Sequence, residues 1–286
     1  MITPLPDLRL FRGHGAKASR AFTTMEWLVV FAILLVLIVI AVPVYSAVRQ
    51  RAHKGVALDK IKSLGSAVAN YAGQNAGLLP AEDTDGNDSW DRINKPEAKD
   101  AWYNALPRLL GRKGAGDFSP TAFYTDENPV FLPGANYPDK KKLAAPQFAI
   151  AFNTKLQRNA PSGEKQRPKL DQITAPSQTV VLLEQGCVNE SRTLEVQSKK
   201  DYDGSPKGSA KSFVGRYGGK GVLYFLDNHA ELVSVRDVLT ETGQFPFPQT
   251  DIVWTLTPEE NPNKTGETKK GDSDSAKKKS DDDAAE

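Results

Sequence analysis

The stretch AFTTMEWLVVFAILLVLIVIAVPVY, residues 21–45, decides the fold of this chain. It holds eighteen consecutive apolar residues, from Trp27 to Val44, and a carboxylate, Glu26, comes directly before them. Eighteen residues of α-helix rise about 27 Å, which is close to the ~30 Å hydrocarbon core of a bilayer. The stretch therefore predicts one transmembrane helix, with bounds at residues 22–48.

A basic leader, residues 1–21, precedes the predicted helix. Its acid Asp7 is outnumbered by four cations, Arg9, Arg12, Lys17 and Arg20. Basic residues before a first span favour a cytoplasmic location for that end, so we expect an inner-membrane protein whose remaining chain lies outside the cytoplasm. Three cations after the span weaken this charge contrast, namely Arg49, Arg51 and Lys54.

The leader differs from an ordinary secretory signal in where its small residue lies. A secretory signal ends its apolar region at a small-residue cleavage site, so the apolar part is removed. Here the small residue, Ala21, comes before the apolar run and directly before Phe22. Cleavage at this position would remove the leader and keep the helix.

The segment from Ala21 to Glu26, AFTTME, followed by the apolar run, resembles the N-terminal processing signal of type IV pilins and type II secretion pseudopilins. Pro43 and Tyr45 lie at the distances from Phe22 at which many of these proteins carry a helix-kinking proline and a tyrosine. The resemblance implies that a prepilin peptidase cleaves between Ala21 and Phe22 and methylates the new amine. It also implies assembly with other pilin or pseudopilin subunits, in a pilus or a pseudopilus.

The signal departs from the usual family form at three positions. Ala21 replaces the usual glycine before the cleaved bond, and Thr24 and Met25 replace the usual leucine and isoleucine. The first turn of the helix is therefore more polar than is typical of the family, while the cleavage position and the acid are retained.

The resemblance gives Glu26 a partner. In pilin-like proteins this acid pairs with the N-terminal amine that cleavage creates, and the pair sets the register between subunits. A bare carboxylate at a membrane edge is energetically costly, and a neighbouring cation reduces that cost. The residues alone also allow a glutamate that simply extends to the headgroup region of an ordinary anchor.

The helical pattern continues beyond the membrane segment, through residues 49–77. Pro43 removes one backbone hydrogen bond and is expected to kink the helix, and apolar residues then recur every three to five positions. The predicted apolar stripe comprises Val48, Ala52, Val56, Ile61, Leu64, Val68 and Ala72, and the predicted solvent face carries Arg51, Lys54, Lys60 and Lys62.

Residues 78–257 are expected to form a globular head. Alternation over 147–152 indicates a half-buried strand, the apolar run 179–183 indicates a central strand, and 221–235 indicates two strands around a turn at Asn228. The predicted fold class is α+β, with a long N-terminal helix packed on a small antiparallel sheet, as the pilin resemblance implies.

Several other segments of the head and tail carry predictions. Residues 101–107 are expected to pack a short helix on the head, and Cys187 is expected to be a small buried residue. The aromatic residues Phe123, Tyr124, Phe131 and Tyr137 are expected to pack in the core and loops, with a sugar or partner surface as the alternative. Residues 258–286 carry almost no apolar side chains and are expected to be a disordered tail.

A second resemblance lies in the predicted hairpin. Arg216 and Tyr217 are followed by nine residues and then by Asp227, Asn228 and His229, which is similar to the Arg-His, nine residues, Asp-Gly-His motif of a group of bacterial prepilin-like proteins. Tyr217 replaces the histidine and Asn228 replaces the glycine. We therefore interpret the last three residues as turn formers instead of catalytic or metal-binding groups.

Composition and motifs argue against several functions. The net charge of +2 from 37 basic and 35 acidic residues argues against nucleic-acid binding. No catalytic or cofactor motif is found, so neither an enzyme nor a bound cofactor is expected. The acidic run 83–88 invites a calcium interpretation, but it lacks the EF-hand pattern, and a solvated loop without a metal is expected.

The expected function is therefore that of a prepilin-like structural subunit. The alternative is a single-pass membrane anchor that carries a ligand-binding head and does not polymerise.

Overall fold

A computed structural model describes residues 23–84, 88–139, 143–159, 165–239 and 252–260. The chain divides into two compact units after Val48. The predicted leader, the cleavage residues Ala21 and Phe22, and the predicted tail from residue 261 onward lie outside the described residues.

Helix α1, Thr24–Gln74, is 51 residues long. In its first part, residues 24–48, the large apolar side chains are all exposed, with exposed fractions from 39% at Val30 to 71% at Met25. Among the described residues, α1 is the one helix long and apolar enough to cross a membrane. The helix continues through position 43, and a kink there stays a prediction.

The second part of α1 belongs to the head and buries one face. Of the predicted stripe, Ile61, Leu64, Val68 and Ala72 are buried, whereas Val48 and Ala52 are exposed and Val56 is half-buried. The buried face therefore begins about two and a half turns later than predicted, and its first buried residue is Ala57. The predicted end of the helix near residues 73–77 is confirmed.

Lys60 corrects the predicted solvent face. Its ammonium donates to the carbonyl oxygens of Asn128, at 3.2 Å, and Phe131, at 2.8 Å, and its side chain is 14% exposed. Desolvation lowers the pKa of Lys60, while Asp126 opposes that shift. Lys60 therefore anchors the 128–131 loop to α1, a contact that a helical pattern alone does not reveal.

Three short helices and seven strands complete the described elements. The helices are α2 (Trp90–Ile93), α3 (Trp102–Leu109) and α4 (Val235–Val238). The strands are β1 (Ile150–Asn153), β2 (Arg158–Asn159), β3 (Lys165–Gln166), β4 (Val180–Glu184), β5 (Lys207–Gly208), β6 (Lys220–Phe225) and β7 (Ala230–Ser234).

The main sheet has the order β5-β1-β4-β6-β7, and β2 pairs with β3 separately. Strands β1, β4, β6 and β7 pair antiparallel, and β4 is central, as predicted. The expectation of a purely antiparallel sheet is wrong at one edge, because β5 pairs parallel to β1. The fold class is thus mixed α+β with a mixed sheet.

Both faces of the sheet are covered at β1, β4 and most of β6, so the half-buried strand expected over residues 147–152 is buried on both sides. On one face, α1 and α3 pack against Phe148, Phe152 and Tyr224. On the other face, residues from 210–214, 235–239 and 252–256 cover Leu223 and Phe225. The segments that cover the second face of the sheet are distant from β1 in sequence. The alternation in β1 therefore does not mark a solvent-exposed face.

The aromatic side chains mostly pack as predicted. Trp102 is fully buried in α3 and donates its indole N–H to the carbonyl of Pro206 at 2.8 Å. Phe123 and Tyr124 are buried, and their rings meet edge to face with a centroid distance of 5.0 Å. Phe131 and Tyr137 are half-buried and stack on each other.

Gly65 allows α1 to approach the sheet closely. A methyl group at this position would overlap the ring of Tyr224 in β6, and that residue is 2% exposed. We expect Gly65→Ala to lower the free energy of unfolding by about 1–3 kcal/mol, because an overpacked core must shift. Alanine's better helix propensity does not offset this cost. Chemical denaturation of the purified protein measures the change.

Gly73, on the same helix, provides a matched control. A methyl group there meets no atom within 4 Å, so Gly73→Ala is expected to raise the free energy of unfolding by about 0.5–1 kcal/mol. Equal responses of the two variants would contradict the proposed packing of α1 on Tyr224.

Candidate functional site

The N-terminal turn of α1 places the acid that precedes the apolar segment. Thr23 donates its backbone N–H to Glu26 Oε2 at 2.7 Å and its hydroxyl to the same oxygen at 3.0 Å. In return, the backbone N–H of Glu26 donates to Thr23 Oγ1 at 3.3 Å. This reciprocal pair is a capping box, which satisfies helix N–H groups that have no intrahelical partner.

The capping role of Glu26 was not predicted. The sequence signal for it is a threonine followed three residues later by glutamate before an apolar run, and Thr23 and Glu26 match it. A capping carboxylate also keeps its charge near the positive end of the helix dipole. The acid therefore has a local structural role that does not depend on cleavage of the chain.

The apolar part of α1 is bounded by an aromatic residue at each end. Trp27 and Tyr45 are 55% and 70% exposed, and Tyr45 comes eighteen positions after Trp27, a helical rise of about 27 Å. Amphipathic rings are enriched at the two interfaces of a bilayer. The spacing of Trp27 and Tyr45 thus matches the thickness of a hydrocarbon core, with Glu26 just outside one ring and Arg49 just beyond the other.

The first half of the second motif forms a buried ion cluster. Arg216 forms a bidentate salt bridge with Glu190, with distances of 2.7 Å from Nε to Oε1 and 2.6 Å from Nη2 to Oε2. Its Nη1 donates to Glu184 Oε1 at 3.1 Å. The remaining N–H groups donate to the carbonyls of Gln185 and Ala149. All five guanidinium N–H groups therefore have acceptors.

Both carboxylates of this cluster are buried and hydrogen-bonded. Glu184 is 0% exposed and also accepts from the hydroxyl of Tyr217, at 3.1 Å, and the backbone N–H of Val222, at 2.8 Å. Glu190 is 8% exposed and accepts backbone N–H groups of Cys187 and Asn136. Burial raises the pKa of Glu184, and the charge of Arg216 opposes this rise.

The Arg216 cluster connects segments that are distant in sequence. Glu184 ends β4, and Glu190 and Asn136 lie in two separate loops. The Tyr217 hydroxyl that donates to Glu184 also lies 3.4 Å from the backbone carbonyl oxygen of His53 in α1. His53 itself is half-buried. The cluster therefore acts as a structural tie between α1, the sheet and the loops.

The thiol nearest this cluster has the environment of a packing residue. Cys187 is 0% exposed, as expected, and burial raises its pKa. A nucleophilic cysteine needs an accessible thiolate. Cys187 accordingly gives the cluster no reactive group.

The second half of the motif lies at the other end of β6. Asn228 has a φ of 76°, which confirms the predicted left-handed turn residue. His229 pairs with Asp227 and stacks on Phe225 with a centroid distance of 4.3 Å. β6 lies between the two halves and spans about 20 Å, so the structure does not bring Arg216 and His229 into one site.

The acidic run 83–88 is described except for residues 85–87. Asp83 is paired with Lys207 at 2.6 Å, and Asp88 accepts from the hydroxyls of Tyr103, at 2.7 Å, and Thr84, at 3.0 Å. In the described part of the chain, no group of three or more metal-ligating side chains lies close enough together to hold an ion. Within its described residues, the acidic run 83–88 therefore offers no set of side chains that could bind calcium.

Comparison of the chain with protein-family models, with curated proteins and with solved structures finds no significant match in any of the three. Function is therefore inferred from the residues and the geometry described above.

Proposed function

We propose that this chain is a prepilin-like structural subunit. Prepilin peptidase removes residues 1–21 before Phe22, and the chain assembles through its N-terminal helix into a type IV pilus or a type II secretion pseudopilus. Before assembly, the helix anchors the subunit in the inner membrane with the head outside the cytoplasm. The proposal rests on the AFTTME signal and on the exposed apolar helix that follows it.

The observation that best supports this function is the exposed apolar surface of residues 24–48. Large side chains are exposed around the whole helix, with Leu35 at 63%, Ile38 at 56% and Val39 at 71%. Exposed apolar patches of this extent mark membrane or protein contacts, and a helix that is apolar all round is buried in lipid or in other helices. A subunit that leaves the bilayer for a filament exchanges contact with lipid for contact with other helices.

The head supports a structural role. The side chains of its Arg216 cluster are 0–8% exposed, and the guanidinium N–H groups all have acceptors within the protein. Such a cluster rigidifies the head and ties α1 to it. A head held rigidly to α1 suits a subunit that contacts its neighbours through that helix.

A membrane anchor with a ligand-binding head remains the second candidate, because two open clefts flank the 188–199 loop. One of about 560 Å³ is lined by residues including Ser191, Lys199 and Tyr202. The other, of about 490 Å³, is lined by residues including Asn136 and Arg216. An anchor of this kind would keep its leader and would not form multimers.

The two roles of Glu26 can be separated by two substitutions. Glu26→Gln retains an oxygen that can accept from Thr23, because glutamine also serves in a capping box, but it removes the charge that would pair with the Phe22 amine. Glu26→Ala removes both. We expect both variants to reduce assembly by about tenfold or more, because an unpaired cation would remain at the subunit contact.

The measurement is the fraction of chain trapped as multimers by an amine crosslinker in cells with active prepilin peptidase. Thr23→Ala is the matched control, because it weakens the cap and leaves the charge, and it is expected to retain most assembly. Normal assembly of Glu26→Gln with loss in Glu26→Ala would assign Glu26 to capping alone and contradict the proposed pairing.

A further inference from the structure

A second charged feature lies where the apolar part of α1 ends. Arg49, Arg51 and Lys54 follow Val48 within six residues, and no acid occurs between Glu26 and Asp59. Arg49 and Arg51 are exposed, and Lys54 is half-buried. Within the described residues, none of these three cations forms an ion pair.

The axial position of the three cations matches a headgroup layer. At about 1.5 Å per residue, they lie about 6, 9 and 13.5 Å beyond Tyr45, the ring that marks this edge of the hydrocarbon core. The polar layer on each side of a bilayer is about 5–7 Å thick. Because arginine and lysine side chains can extend along the helix axis, the charges of Arg49 and Arg51 reach this layer, and the charge of Lys54 reaches its outer edge, when the apolar segment is in lipid.

The angular position of the three cations distinguishes lipid from a protein partner. At about 100° per residue, Arg51 and Lys54 lie about 200° and 140° around the helix from Arg49. No gap between them reaches 180°, so the charges surround the helix instead of forming one stripe. A ring fits a layer that encloses the helix, whereas a docked acidic protein would contact one side.

We propose that Arg49, Arg51 and Lys54 form a collar that binds the headgroups of anionic phospholipids where α1 leaves the membrane. Each basic residue at an anionic surface strengthens association by about fivefold. The collar would fix how deeply the helix sits and would have to release its lipids when a subunit leaves the bilayer. The inference rests on the membrane-insertion part of the proposed function, and it does not depend on cleavage or assembly.

The test uses the full-length protein in nanodiscs with equal amounts of phosphatidylglycerol and phosphatidylcholine that carry the same acyl chains. Lipids that remain bound after mild detergent release are counted by native mass spectrometry. We expect the wild-type protein to retain about threefold more of the anionic lipid or higher. Arg49→Gln/Arg51→Gln/Lys54→Gln should retain the two lipids nearly equally.

Two control variants make the result specific. Lys62→Gln/Lys99→Gln/Lys200→Gln makes the same change in charge at exposed positions of the head and should keep the wild-type preference. A variant with the four leader cations changed to glutamine should keep a clear anionic preference, because the collar remains. Because the leader lies at the other end of the span, that variant removes the binding of anionic lipids by the leader in the opposite leaflet.

Equal retention of the two lipids by the wild-type protein would overturn the proposal. A preference that survives the triple collar substitution would also overturn it. If the collar variant instead lost crosslinked multimers with no change in bound lipid, the cations would belong to an acidic surface of a neighbouring protein. Normal lipid preference in a chain that is never cleaved would leave the collar intact and contradict only the filament proposal.

Discussion

Replacing Arg216 by methionine is expected to lower the free energy of unfolding of the head by about 3–5 kcal/mol. Methionine keeps most of the buried volume, but it leaves the carboxylates of Glu184 and Glu190 without their cation. Glu184 is fully buried, so water cannot replace the lost hydrogen bonds. Chemical denaturation of the purified protein, followed by the fluorescence of the buried tryptophans, measures the loss.

The control for this prediction is an exposed ion pair. Arg108 and Asp117 are 2.8 Å apart, with side chains 43% and 39% exposed, and Arg108→Met is expected to cost less than about 1 kcal/mol. Adding Glu184→Gln to Arg216→Met should recover about 1 kcal/mol, because one stranded charge is removed. Similar stability of Arg216→Met and Arg108→Met would contradict the structural role of the cluster.

Placing two arginines at the centre of the apolar segment is expected to prevent membrane integration. Val36 and Leu37 lie midway between Trp27 and Tyr45, and their side chains are 58% and 57% exposed. Each arginine at the centre of a span costs about 2.5–3.5 kcal/mol on the insertion scale. Val36→Arg/Leu37→Arg should therefore be disfavoured by about 5–7 kcal/mol.

The measurement is the fraction of chain that stays in the membrane pellet after alkaline carbonate extraction. Ala69→Arg/Asn70→Arg adds the same charge to an exposed part of α1 in the head, and it should remain in the pellet like the wild-type protein. Retention of the Val36→Arg/Leu37→Arg variant in the pellet would show that residues 24–48 do not anchor the chain.

The elements that are determined by a short run of neighbouring residues were predicted from the sequence. The apolar run predicted the first part of α1, the β-favouring run predicted the central strand β4, and Asn228 predicted a left-handed turn. The capping box at Thr23 and Glu26 was equally local, and a known signal would have identified it.

The features that were missed depend on contacts between distant residues. Glu184 and Glu190 lie 32 and 26 positions from Arg216, and nothing in a single sequence indicates that they meet. Lys60 looked like a solvent-facing residue because its acceptors are carbonyls about seventy positions away. β5 has only two residues, so its parallel pairing with β1 leaves no periodic signal.

The two resemblances have different structural outcomes. The hairpin motif divides into a buried cluster at Arg216 and an exposed turn at His229, which lie at opposite ends of β6. Each half stabilises its own region of the head. The N-terminal signal, in contrast, leads directly into α1 and shares the first turn of that helix, whose exposed apolar surface requires a partner.

The N-terminus and intact mass of the membrane-bound protein, isolated from cells with active prepilin peptidase, test the central claim most directly. The proposal predicts a chain that begins at methylated Phe22, and it predicts that a bulky residue at Ala21 restores the full-length mass. A wild-type chain that still begins at Met1 under these conditions would contradict processing as a prepilin. Glu26 would then serve as a helix cap on an ordinary membrane anchor.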